Sequence, residues 1–157
     1  MTMARKDISM TSEEVASFLN QGWNLQVATV GNDGWPHLTT LWYVMRDGLI
    51  TFRSFRRSQR IVNLGRDPKI TVLVEEGRSY DELRGVMVRG RAELLDDRGT
   101  ILDVYGMVAS KYQFGGSPLD PEAVESLFGA HAAKNTVVVV HPEQTSSWDH
   151  RKLGGAY

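Results

Sequence analysis

Apolar and polar positions alternate along much of the chain, and four stretches change to a helical spacing. Residues 10–22, MTSEEVASFLNQG, predict a helix with Val15, Phe18 and Leu19 on one face. Thr11 with Glu14 three positions later forms a capping-box pattern, and Gly22 suits the exit. Residues 24–30 and 35–45 read as strands joined by GNDG, whose residues tolerate the positive φ of a hairpin turn. A second tight turn, RDG at 46–48, leads into the strand LITFR, so the spacing predicts a three-stranded meander.

SQRIVNLGRD at 58–67 predicts a short helix with Ser58 at its N-cap, closed by Pro68. KITVLVEE and GVMVRGRAELL read as strands on either side of a polar loop at 76–84. Residues 97–114 repeat helically through Ile101, Leu102, Tyr105 and Val108, although Gly106 weakens the pattern. Asp120 caps a further helix with Pro121 at its first position. NTVVVVHPE, almost wholly β-branched at its centre, predicts a strand buried on both faces. Residues 143–157 read as a polar C-terminal tail carrying Trp148, and 1–10 as a flexible N-terminus. Mostly hairpin-connected strands with helices at the edges give a mainly β, α+β architecture: a closed or split antiparallel barrel in a single domain, 1–157.

Composition narrows the chemistry. With 18 basic and 19 acidic side chains the formal net charge is -1, so nothing global recruits nucleic acid or an anionic membrane. The absence of cysteine removes disulfides and thiolate chemistry and fits a reducing cytoplasm. No stretch approaches the ~20 apolar residues of a membrane span. The four histidines are too dispersed to suggest a metal set, and no nucleophile-elbow or phosphate-loop glycine pattern occurs.

Against this neutral background, Arg53, Arg56, Arg57 and Arg60 crowd into eight positions at a strand-to-helix junction. The first N–H groups of a helix lack intrahelical acceptors and carry positive potential. Arginine forks beside them match phosphate oxygens, so the junction is a candidate phosphate site. The alternative is a solvated loop whose arginines pair with carboxylates such as Asp67 or Glu75.

The run GNDGWPHLTTLWYV…DGLITF…SQRIVNLGRDPKITVLVE resembles the flavin-binding split-barrel superfamily of pyridoxamine 5'-phosphate oxidase-like proteins. Within it the chain looks most like the actinobacterial deazaflavin-dependent oxidoreductases, which use coenzyme F-420 rather than FMN. Ser58, Arg60, Asn63, Leu64, Asp67 and Pro68 occupy the positions of the superfamily's Ser-x-Lys-x-x-Asn-Leu-x-x-Asp-Pro run, with arginine in place of lysine at 60. YDELRGVMVRGRAELL and SWDHRKLGG extend the likeness over most of the chain.

The resemblance implies that Ser58 and Arg60 hold a cofactor phosphate, with Arg56 and Arg57 as auxiliaries for a longer anionic tail and Arg53 facing either way. It places His37, Thr39, Thr40 and Trp42 along the ring and ribityl chain, with Phe52, Arg53 and Ser54 beside them. Trp148, Arg151 and Lys152 of the tail become candidates for cofactor contact, and Trp148 equally for packing on its own barrel. It further implies a homodimer with two equivalent sites acting on a small-molecule substrate. No side chain need serve as catalytic acid or base, since solvent can supply the proton. FMN in place of the deazaflavin, a non-enzymatic cofactor- or haem-binding protein, and a nucleic-acid binder using the arginines alone are the rival readings.

Overall fold

The computed structural model describes residues 7–155. Seven antiparallel strands form one curled sheet in the order β2-β1-β5-β6-β7-β4-β3. They are β1 (Leu25–Val30), β2 (Pro36–Leu41), β3 (Val44–Arg46), β4 (Leu49–Phe55), β5 (Lys69–Glu76), β6 (Arg84–Leu95) and β7 (Asn135–Asp149). Helices α1 (Ser12–Gln21), α2 (Gln59–Arg66), α3 (Arg98–Gln113) and α4 (Pro121–Ala132) pack around this half-barrel. The mainly β split barrel with peripheral helices is the expected architecture. Among the described residues no helix is long and apolar enough to cross a membrane.

The meander does not form. β1 pairs with β2 and β3 with β4, but the two hairpins sit at opposite edges of the sheet. The predicted strand at 35–45 breaks at Trp42 and Tyr43. Tyr43 is fully buried, its hydroxyl donates to Leu19 of α1, and its N–H donates to the Tyr112 hydroxyl of α3. Its carbonyl accepts from both Tyr112 and Lys111. Side chains of α3 thus satisfy the backbone groups that a neighbouring strand would otherwise take up.

Two cores result. Phe18, Val27, Phe52, Ile61, Val72 and Val138 are among the residues filling the inside of the curl. Val44, Ile101, Val104, Val137 and Val139 belong to a second cluster between the sheet and the α3–α4 pair. Alternate valines of β7 enter each core, which is why this strand is apolar on both faces.

Caps and glycines agree with the sequence in place, less often in mechanism. Thr11 and Glu14 form the complete capping box of α1, and Asp120 caps α4. Gly22 ends α1 with φ -59°, so no left-handed residue is needed. A Cβ there would instead collide with the Tyr43 hydroxyl and Val74. Gly106 does not interrupt α3, and it lets Val124 of α4 approach closely. The 76–84 loop contains a 3-10 turn at Tyr80–Glu82.

The polar tail is largely strand. β7 continues to Asp149, pairing with β6 back to Arg84, and a 3-10 turn follows at His150–Leu153. Cross-strand pairing carries these polar residues without an apolar alternation of their own. Of the segment expected to be flexible, 1–6 lie outside the described residues. Ile8, Ser9 and Met10 bond to Asp149, Lys152 and Ser147.

Candidate functional site

The arginine-rich junction lies where β4 passes into α2. Ser58 occupies the N-cap position as predicted, but its side chain caps nothing; its hydroxyl lies 2.9 Å from that of Ser54. Arg60, in the first turn of α2, donates from Nη1 to Ser54 Oγ at 2.6 Å and from Nε to Thr39 Oγ1 at 3.1 Å. Thr39 is on β2 and Ser54 on β4, near opposite edges of the sheet, so one guanidinium bridges the split of the barrel.

The helix that carries Arg60 is itself pinned. Asn63, fully buried, donates to Thr29 on β1 at 3.0 Å and accepts from Gln59 at 2.8 Å. Arg66 adds a 2.6 Å bond to the carbonyl of Val30. These bonds fix the first turn of α2, whose free N–H groups and dipole add positive potential beside Arg60.

Arg60 forms no ion pair with any described residue, and partial burial holds its guanidinium below the ordinary arginine range. Three hydroxyls around an uncompensated, part-buried cation fit a polar anion carrying several acceptor oxygens. His37 stands two residues before Thr39 and shares its strand face. Its Nδ1 is buried without a hydrogen-bond partner among the described residues.

The other expected site residues have different surroundings. Arg53 points to the opposite face of β4 from Ser54, its guanidinium 3.8 Å from the centre of the Tyr105 ring. Phe52 is fully buried in the inner core. Arg56 pairs with Asp96 at 3.3 Å rather than with Asp67 or Glu75. Arg57 is exposed and forms no ion pair with a described residue. Thr40 alternates with Thr39 and is exposed on the other face of β2. Trp42 stacks on Tyr112 with ring centroids 4.5 Å apart.

Trp148, Arg151 and Lys152 lie at the far end of β7. Its first residue pairs with Phe55 near the corner and its last with Arg84. The Trp148 indole covers Gly85, where a side chain would overlap it. Arg151 bonds to Asp149, and Lys152 to Glu14 at 2.6 Å and to the carbonyl of Ser9. Within one chain Trp148 packs on β6 and Lys152 ties the terminal segment to α1, while the Arg151 bond stays within that segment.

Sequence reasoning passed over Tyr112 and Lys111. The stripe through Ile101, Tyr105 and Val108 continues at helical spacing to Tyr112, which is the signal that was present. Trp23, Trp35 and Trp42 are 55%, 74% and 40% exposed in one chain, whereas Tyr43 is buried in the core.

Comparison with known proteins adds the family. The solved structure of a conserved hypothetical protein, Rv2991 from Mycobacterium tuberculosis, is 38% identical, with 99% of this chain and 95% of that one covered and a TM-score of 0.86. A structure described as an F420 reductase is 23% identical, covering 83% and 94%, at a TM-score of 0.63. The haem storage protein HutZ from Vibrio cholerae shares the fold at 15% identity, covering 88% and 96%, at a TM-score of 0.65. Among curated proteins none matches significantly. The family model described as pyridoxamine 5'-phosphate oxidase matches residues 11–149. With that match spanning nearly the whole half-barrel, the chain belongs to the pyridoxamine 5'-phosphate oxidase family.

Proposed function

We propose that this chain is a homodimeric oxidoreductase that binds the deazaflavin coenzyme F-420 and passes a hydride to an electron-poor small molecule. The observation that carries the reading is the Arg60 corner. A part-buried guanidinium without a carboxylate partner among the described residues is held between Thr39 and Ser54, with the uncapped first turn of α2 and the Ser58 hydroxyl beside it. Ser54, Ser58 and Arg60 would hold the ribityl phosphate, and His37 offers an unbonded ring nitrogen along the same strand face. Arg57, exposed and unpaired among the described residues, is available to a longer anionic tail such as the deazaflavin carries. Bound there, the deazaflavin supplies the hydride chemistry; the protein supplies orientation, electrostatics and exclusion of water.

The fold likeness to an F420 reductase supports the choice of cofactor. Dimerisation would explain why Trp148, Arg151 and Lys152, remote from the corner in one chain, can still belong to a site shared with a second copy. The test is equilibrium titration of the purified protein with F-420 and with FMN, followed by reduced-cofactor oxidation with quinone and enone acceptors. Saturable F-420 binding with hydride transfer to an acceptor supports the reading. Tight FMN binding without affinity for F-420 replaces the cofactor, and binding without turnover makes the protein a carrier.

A further inference from the structure

A second feature shares no residue with the Arg60 corner. Between α3, α4, β3 and the 114–120 connection lies a cavity of about 970 Å³, within the size range of small-molecule sites. Val44, Leu102, Met107, Leu119 and Val124 supply much of its apolar wall. Its charged members are three. Asp103 is paired with Arg46 at 2.8 Å, and Glu125 is paired with Arg98. Lys111 forms no ion pair with any described residue.

The Lys111 ammonium donates to the carbonyl of Tyr43 at 3.2 Å and lies 4.1 Å from the centre of the Tyr43 ring and 5.0 Å from that of Tyr112. An ammonium has three donors, and the carbonyl takes one. Aromatic faces offset part of the cost of a half-buried charge but provide no counter-ion. Burial lowers the Lys111 pKa to about 8, the sign expected of a cation that lacks an anionic partner. Each carboxylate on the lining has an arginine partner, Arg46 being shared between Asp103 and Asp47, so Lys111 is the charged group of a largely apolar wall that lacks an ion pair among the described residues.

We propose that this cavity binds a small amphipathic organic anion, an aryl or medium-chain carboxylate, whose head pairs with Lys111 and whose hydrocarbon body lies against the α3–α4 wall. The inference does not depend on which cofactor occupies the Arg60 corner, because its test measures binding alone. Naphthoate and its uncharged carboxamide, naphthamide, are titrated calorimetrically into the cofactor-free protein at neutral pH, and naphthoate is mapped by amide chemical shifts. The expected result is naphthoate binding roughly 10-fold or more tighter than naphthamide, the size of one charge-assisted contact. Shifts should concentrate at Ser110, Lys111, Gly115, Gly116 and Leu119, and Lys111→Met should abolish the preference. Equal affinity for the two probes, shifts concentrated at Ser54 to Arg60, or an undiminished preference in Lys111→Met overturns the proposal. If Lys111→Met does not fold, the probe pair and the shift map on the wild-type chain decide it.

Discussion

The Arg60 corner and the Lys111 cavity each hold a half-buried cation with no carboxylate partner among the described residues, yet they are built from opposite materials. Arg60 donates to the hydroxyls of Thr39 and Ser54, the latter bonded to Ser58, and stands at the first turn of a helix. Lys111 lies against aromatic faces at the edge of an apolar cavity. A flat guanidinium among hydroxyls matches a ligand head bearing several oxygens, whereas an ammonium over aromatic rings matches a single charge on a greasy body. The surroundings of a cation, more than its charge, select the ligand.

Four substitutions sharpen or break that comparison. Arg60→Ala should have the largest effect, weakening F-420 binding by about 3 kcal/mol, or roughly 100-fold, through loss of two charge-assisted hydrogen bonds to the phosphate. Stability should change by less than about 1 kcal/mol, because Ser54 and Ser58 remain paired. A fluorescence titration and a urea melt on the same preparation separate the two effects.

Asn63→Ala should act through stability. It leaves the buried Thr29 hydroxyl without its Asn63 donor and frees the exposed Gln59, and should cost about 2 kcal/mol in the urea midpoint. An unchanged midpoint would mean that α2 is not held by this buried bond.

Lys111→Met should leave F-420 affinity unchanged and show itself in the pH dependence of stability. The folded pKa of about 8 lies below the ordinary 10.5, so between these values the unfolded chain binds a proton that the folded chain has released. Wild-type stability should therefore rise relative to the variant as pH goes from 8 toward 10.5 and run parallel to it below 8. Urea midpoints measured across that range would refute a buried charge at Lys111 if the difference stayed flat.

Arg53→Met should have the smallest effect. It removes a cation–aromatic contact of about 1 kcal/mol together with a buried Nε that lacks a hydrogen-bond partner among the described residues, two effects of opposite sign. Cofactor affinity should stay at the wild-type value, because Arg53 faces Tyr105 and not Ser54. A large loss in titration would mean that the two faces of β4 act together.

The difference between Arg53 and Arg60 also marks how far the sequence could be read. The place of Arg60 in the first turn of α2 was legible because helix-start rules and the Ser-x-Arg-x-x-Asn-Leu run both marked it. Period-two alternation does place Arg53 and Ser54 on opposite faces of β4. Both faces of that strand are buried, however, so its apolar pattern could not say which face met α2. The break at Trp42 and Tyr43 was hidden inside an unbroken apolar run, since the groups that satisfy its backbone come from α3, some seventy positions later. The strand at 143–149 was hidden for the converse reason, because its order comes from pairing with β6 and not from its own apolar residues. Long-range partners were what the sequence withheld.

Titration of the wild-type chain with F-420 alongside FMN decides whether the Arg60 corner receives the phosphate of a deazaflavin. Saturable F-420 binding, tighter than that of FMN, is expected, with a change in the deazaflavin's visible band. Tight binding of FMN with no saturable response to F-420 would contradict it.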